Sequence, residues 1–299
     1  MSFRVIARPG SLLDGERCMK ASDFRYERPQ SLDEALALMC DNGDEAMVLA
    51  GGQSLMPMMN FRMAEPGLLV DLNEIEALKG IRLDGDDVII GAMTRYAELQ
   101  ASQDVAQHIP LMAMALPHIA HAAIRNRGTI GGSVSLADPA AEMPALLMVL
   151  DARIKVLGQS GEKIISADDF FLGIYETALE EGELVTEILV PKARPDQRFG
   201  FYELARRHGD YAMSGVAVVV RGEADIESCR IAFFAVSDKS VRAAGAEAVM
   251  TGSRSDDAAS IDKAVASLGE IDFMGDLNAR PETKKHLSGV VLRRALAEL

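Results

Sequence analysis

Leu49-Ala50-Gly51-Gly52-Gln53-Ser54-Leu55 closes the apolar run Met47-Val48-Leu49-Ala50, and its reading decides the fold of the N-terminal half. A short apolar run entering paired glycines reads as a buried strand opening into a tight turn. Glycines carry no Cβ, so backbone N–H groups there can converge on an oxyanion, and Ser54 adds a hydroxyl. A phosphate or pyrophosphate is the natural guest; an ordinary strand-ending turn is the competing reading. Upstream, Ser31-Leu32-Asp33-Glu34 forms a capping box, with Ser31 set to cap and Glu34 to reach back. Leu32, Ala35, Leu36 and Met39 follow at helical spacing, and Asn42-Gly43 supplies the stop. Downstream, Leu68-Leu69-Val70-Asp71-Leu72 reads as the next strand. Helix, strand, glycine loop and strand make one small α/β unit.

A second unit opens with a strand at residues 88–90 and continues as a helical stretch from Tyr96 towards Ala123, interrupted by Pro110 and Pro117. It reaches Thr129-Ile130-Gly131-Gly132-Ser133, a second paired-glycine segment with Arg125 and Arg127 just before it. Those cations matter little to an isolated turn and much to a diphosphate. Two such segments in an acidic chain point to a large phosphorylated cofactor. Neither fits the dinucleotide spacing GxGxxG, and no GxxxxGK(S/T) phosphate loop exists, so a nicotinamide domain and a P-loop NTPase are disfavoured. A helix over 145–150, a hairpin over 154–165 and a strand over 184–190 ended by Pro191 complete this unit.

From Phe199 the pattern changes. Apolar strands at 216–220 and 231–236 precede amphipathic helices that end with 284–299, and a polar surface loop falls at 251–257. Strands followed by helices predict an α+β C-terminal domain. The expected division is an extension at 1–18, subdomains at 19–78 and 79–192, and a C-terminal domain at 193–299.

The chain has 299 residues, 31 Lys and Arg against 45 Asp and Glu, and a formal net charge of −14. That balance argues against nucleic acid and against an anionic membrane surface, both of which call for clustered cations. The three cysteines, Cys18, Cys40 and Cys229, lie far apart without a CxxC pair, so no disulfide framework, iron–sulfur cluster or zinc site is expected from this chain alone. No apolar run reaches spanning length and the first residues carry no apolar signal core, which makes the cytoplasm the expected location.

Three stretches then carry a specific resemblance: AGGQSLMPMMNFRMAEPGLLVDLNEI from Ala50, IRNRGTIGGSVSLADPAAEMPA from Ile124 and YELARRHGDYA from Tyr202. In order and spacing they resemble the flavoprotein (medium) subunits of carbon monoxide dehydrogenase and related xanthine dehydrogenase-type molybdenum hydroxylases, from about Met19 to the C-terminus. The resemblance implies an α+β, non-Rossmann FAD fold: two N-terminal α/β subdomains enclosing FAD, plus an α+β C-terminal domain. It implies that Leu49, Ala50, Gly51, Gly52, Gln53, Ser54 and Leu55 wrap the pyrophosphate, with Thr129, Gly132 and Ser133 beside the cofactor on the second glycine segment. It further implies cofactor contacts at Ile119 and Ala120, at Glu142 on the adenosine-side ribose and at Val185 near the adenine. Tyr211 takes the place of an aromatic beside the isoalloxazine. Gln53 stands where some relatives carry His, and Glu203 where the xanthine dehydrogenase branch has Lys.

By the same resemblance the chain is an FAD-containing electron-transfer subunit. A molybdopterin-bearing large subunit would oxidise substrate, a small subunit with 2Fe-2S clusters would deliver electrons, and the assembly would be a dimer of heterotrimers. No catalytic acid or base is assigned. A free-standing FAD oxidoreductase and a flavin-less assembly subunit are the alternatives. Two further patterns compete less well: His118 and His121, three apart, lack a third metal ligand, and the sixteen methionines read as adaptable packing. Arg206-Arg207-His208 reads as a polar loop, and Asp168-Asp169 and Glu180-Glu181 as solvated surface.

Overall fold

A computed structural model describes residues 20–299, so the expected extension at 1–18, with Cys18, lies outside the described residues. Strands Arg25–Glu27, Leu68–Asp71 and Ala46–Leu49 form a parallel sheet with Leu68–Asp71 in the middle. All four residues of that middle strand are buried, as an apolar run covered on both faces should be. Helix Leu32–Asn42 links the outer strands. The Glu34 N–H donates to Ser31 Oγ at 3.2 Å, whereas the Glu34 carboxylate accepts from Gln30 N at 2.8 Å, one residue earlier than a reciprocal capping box requires. Gly43 ends the helix at φ 48°, its N–H donating to the Met39 carbonyl.

The second sheet is antiparallel, in the order Ile81–Asp84, Asp87–Gly91, Leu184–Pro191, Arg153–Gly158, Gly161–Ser166. The region read as one interrupted helical stretch is four short helices: Tyr96–Ala101, Gln103–His108, Pro110–Ala115 and Ala122–Arg125. Pro110 sits at a first helical position, where its missing N–H has no cost. The first break has no proline. Ser102 is extended there and its hydroxyl caps the next helix through the Val105 N–H. The second glycine segment is a helix start rather than an open turn: Ile130–Leu136 is helical and Thr129 caps it by accepting from Gly132 N at 3.1 Å.

Strands Gln197–Ala205, Ala212–Arg221, Ser228–Phe234 and Val241–Arg242 form the third, antiparallel sheet, backed by helices Ala244–Met250, Ala258–Ser267 and Pro281–Ala297. The α+β class is as expected. Helix Glu142–Val149, wider than the predicted 145–150, is buried at all eight positions. It packs on Ala212–Arg221, Ser228–Phe234 and Pro110–Ala115. One apolar core therefore runs from Ile154 and Ile188 of the second sheet through Leu146 to Phe234 of the third. Asp168, read as solvated, bridges Arg230 (2.9 Å) and Arg242 (3.2 Å) across that junction.

Candidate cofactor site

The two glycine segments meet. After strand Ala46–Leu49 the chain turns through Ala50 to Ser54, with Gly52 at φ 72°, and enters helix Leu55–Asn60. A Cβ on Gly51 would lie 2.4 Å from the Arg127 carbonyl oxygen and 2.8 Å from Gly128 Cα, so only glycine allows this backbone contact. A Cβ on Gly132 would stand 3.4 Å from Ala50 Cβ and 2.8 Å from the Thr129 hydroxyl. Against this junction lies a cavity of about 510 Å³ lined by Leu49 to Gln53, the apolar Met56 and Pro57, and Asn73 and Arg127. Gln53 Nε2 folds onto the Gly51 carbonyl at 2.9 Å. Ser54 makes no side-chain cap for the helix that follows. The Thr129 hydroxyl is buried as the cap of its own helix.

A polar network missed in the sequence braces the junction. Asn73 Nδ2 donates to the Ala50 carbonyl at 3.0 Å, and its Oδ1 accepts from Arg95. The same Arg95 guanidinium donates to the Arg127 carbonyl. Asn73 lies within the longest resemblance motif, but nothing local marked Arg95. Arg125 behaves differently from its reading as a diphosphate cation. Its guanidinium donates to the carbonyls of Ile119 (3.0 Å) and Ala120 (2.8 Å) and to Gln100 (3.0 Å), holding the 117–120 turn in which Ala120 has φ 47°.

Within that turn, His118 Nδ1 is 3.4 Å from Glu203 Oε1, and its ring is 5.3 Å from Phe201 and 6.0 Å from His208. The hydrogen bond to Glu203 raises the His118 pKa. Glu142, buried at the start of its helix, is pushed up to about 7 by desolvation, with the Glu203 charge adding to the effect. Tyr211 is exposed, and desolvation followed by the Asp138 carboxylate holds its hydroxyl above the ordinary phenol value. The structure thus gathers Glu142, Tyr211, His118 and Glu203 in one neighbourhood. Ile119 is buried in the core beside them, and Val185 is buried in the second sheet opposite Val156. His121, the other half of the histidine pair, packs under Gly209.

The arrangement fits a phosphorylated dinucleotide. It supplies backbone approach without Cβ atoms, one lining arginine, Arg127, and apolar walls from Leu49, Met56 and Pro57, with Asp71 as the one carboxylate of the lining. A second cleft of about 500 Å³ has Asp33, Glu74 and Glu76 on its rim and no cation, which suits no phosphate. Two family models divide the chain between them. Residues 22–193 match the FAD binding domain in molybdopterin dehydrogenase, and residues 199–299 match the CO dehydrogenase flavoprotein C-terminal domain. The chain belongs to the molybdopterin dehydrogenase flavoprotein family.

Among its relatives, the carbon monoxide dehydrogenase medium chain of Hydrogenophaga pseudoflava is 38% identical over 91% of this chain and 96% of its own length. Caffeine dehydrogenase subunit beta of a Pseudomonas species is 35% identical over 93% of this chain and 95% of its own. The solved carbon monoxide dehydrogenase of Hydrogenophaga pseudoflava superposes with a TM-score of 0.90 at 38% identity, covering 93% of this chain and 97% of that one. This flavoprotein is therefore an FAD-binding medium subunit of the molybdenum hydroxylase type, an oxidoreductase component. Among the described residues, no helix is long and apolar enough to cross a membrane.

Proposed function

We propose that this flavoprotein is an electron relay: it takes electrons from the 2Fe-2S clusters of a small partner subunit and passes them through FAD to an external acceptor. The single observation that carries the reading is the contact of the two glycine segments at Gly51 and Arg127, which makes one diphosphate cradle from two distant stretches of chain. FAD supplies the redox chemistry when bound, and the protein binds, orients and shields it. In this reading Leu49 to Leu55 wrap the pyrophosphate, with Thr129, Gly132 and Ser133 on its other side. Ile119, Ala120, Glu142 and Val185 border the rest of the cofactor, and Tyr211 lies beside the isoalloxazine. The three larger sheets support a division into 19–78, 79–192 and 193–299.

The same reading gives the chain a molybdopterin-bearing large subunit as a second partner, in a dimer of heterotrimers in the cytoplasm. The names of the relatives as medium chains and subunits support a multi-subunit assembly. The test is purification of the chain from its native host, with an absorption spectrum, cofactor mass and partner identification. Flavin bands, an FAD mass and two co-purifying subunits, one larger and one smaller, are the expected result. A colourless chain that takes up no added FAD would overturn the relay. Steady NAD(P)H oxidation by the isolated chain would point to a free-standing oxidoreductase instead.

A further inference from the structure

Arg95 touches both halves of the glycine junction, and it does so with two different parts of itself. Its backbone is strapped to the second segment: Arg95 and Thr129 form an antiparallel bridge, flanked by Tyr96 N to the Gly128 carbonyl at 3.0 Å and Ile130 N to the Thr94 carbonyl at 3.1 Å. Its side chain reaches across to the first segment through Asn73, which holds the Ala50 carbonyl, and returns to the Arg127 carbonyl. Asn73 is itself fixed by Asp71, whose Oδ1 accepts from the Asn73 N–H at 2.9 Å. The Arg95 N–H donates to Glu98 Oε2 at 2.8 Å, which sets the start of the helix that carries it.

Resting on the FAD reading above, we propose that Arg95 is a positioning residue for the cofactor's diphosphate, latching the first glycine segment to the second through Asn73 and the Arg127 carbonyl. A planar guanidinium with donors on two edges can serve Asn73 Oδ1 and a carbonyl at once, which an ammonium cannot do in the same geometry. Arg127 also lines the cavity, and the Arg95 guanidinium donates to its carbonyl beside the Cβ-free backbone of Gly51. Burial first, and then the neighbouring Arg127 charge, lower the Arg95 pKa. The latch lies between residues 22 apart in one direction and 32 in the other. It therefore joins the first sheet's unit to the second sheet's unit where the dinucleotide would bridge them.

The test compares Arg95→Met and Asn73→Leu with the wild-type chain, each stripped of flavin and titrated with FAD by fluorescence quenching, alongside melting of the apoproteins. Loss of the charged donor pair is expected to weaken FAD binding about 10- to 100-fold in Arg95→Met. The double variant should lose little more than either single one, because both changes open the same latch. Apoprotein melting should move little, since the backbone strap to Thr129 does not need the side chain. Unchanged FAD affinity in both variants, or fully additive losses, would overturn the proposal, as would apoproteins that no longer melt cooperatively. Wild-type apoprotein that binds no FAD would sink the cofactor reading itself, and that failure shows before any variant is made. Riboflavin, which lacks the diphosphate, serves as the control probe; an equal loss for riboflavin and FAD would also overturn the diphosphate assignment.

Discussion

Gly51 is the residue on which the junction turns, because its hydrogen faces the Arg127 carbonyl where any Cβ would sit at 2.4 Å. Gly51→Ala forces the two segments apart, with a stability cost of about 1–3 kcal/mol for overpacked backbone and loss of most bound flavin. Flavin content per chain after purification, together with urea unfolding, checks both halves of that expectation. Glu142 makes a different prediction. Burial raises its pKa from the ordinary 4.5 to about 7, so between those values the folded chain holds a proton that the unfolded chain has released. Stability attributable to this group is therefore greatest below pH 4.5, falls as pH rises towards 7 and is flat above, with a total penalty of about 3 kcal/mol. Glu142→Gln should remove that decline, leaving the apoprotein more stable than wild type at pH 8 and similar at pH 4.5. Thermal melts across the range decide it. The glycines could be read from sequence because they are local signals. The pairing of His118 with Glu203, and of Arg95 with Asn73, could not, since each rests on side chains brought together only by tertiary folding.

At the scale of elements, helix Pro281–Ala297 is fastened to the third sheet by polar groups inside an apolar interface. Lys284, buried, donates to the Ala235 carbonyl and pairs with Asp276 at 2.8 Å. Ser288 meets Ser214 at 3.0 Å. Lys284→Ala removes the ammonium and leaves the carbonyl without its donor, a change expected to cost about 3 kcal/mol. Chemical denaturation should show a lower midpoint with an unchanged slope, while flavin content stays near wild type because the glycine junction is untouched. Strand Gln197–Ala205 was recognised in the sequence only as a change of pattern. In the fold its Gly200 lets the strand lie against the last helix, a Cβ there falling 2.3 Å from the Ala295 carbonyl. The parallel strand Leu68–Asp71 and the hairpin of the second sheet were legible because strand-length apolar runs and turn residues mark them locally. The break at Ser102 was not, because a serine cap carries a weaker signal than a proline.

Across the whole molecule, the second and third sheets share one apolar core through helix Glu142–Val149. A chain cut after residue 193 keeps every glycine of the junction yet uncovers that helix, so it should aggregate rather than give a flavin-binding monomer. Size-exclusion chromatography of residues 20–193 with added FAD tests this; a monodisperse yellow species would refute it. The order of strands and helices was readable from apolar runs and turn residues. The fusion of the second and third sheets into one core was not, because a helix buried on all sides gives no amphipathic period to show which neighbour covers it. That same helix sets a timetable for synthesis. Its covering strand Ser228–Phe234 is translated about 85 residues later, roughly 4–17 s at ordinary elongation rates. For that interval the nascent chain carries an uncovered oily segment, so slower growth with more chaperone per ribosome should raise the yield of soluble flavoprotein.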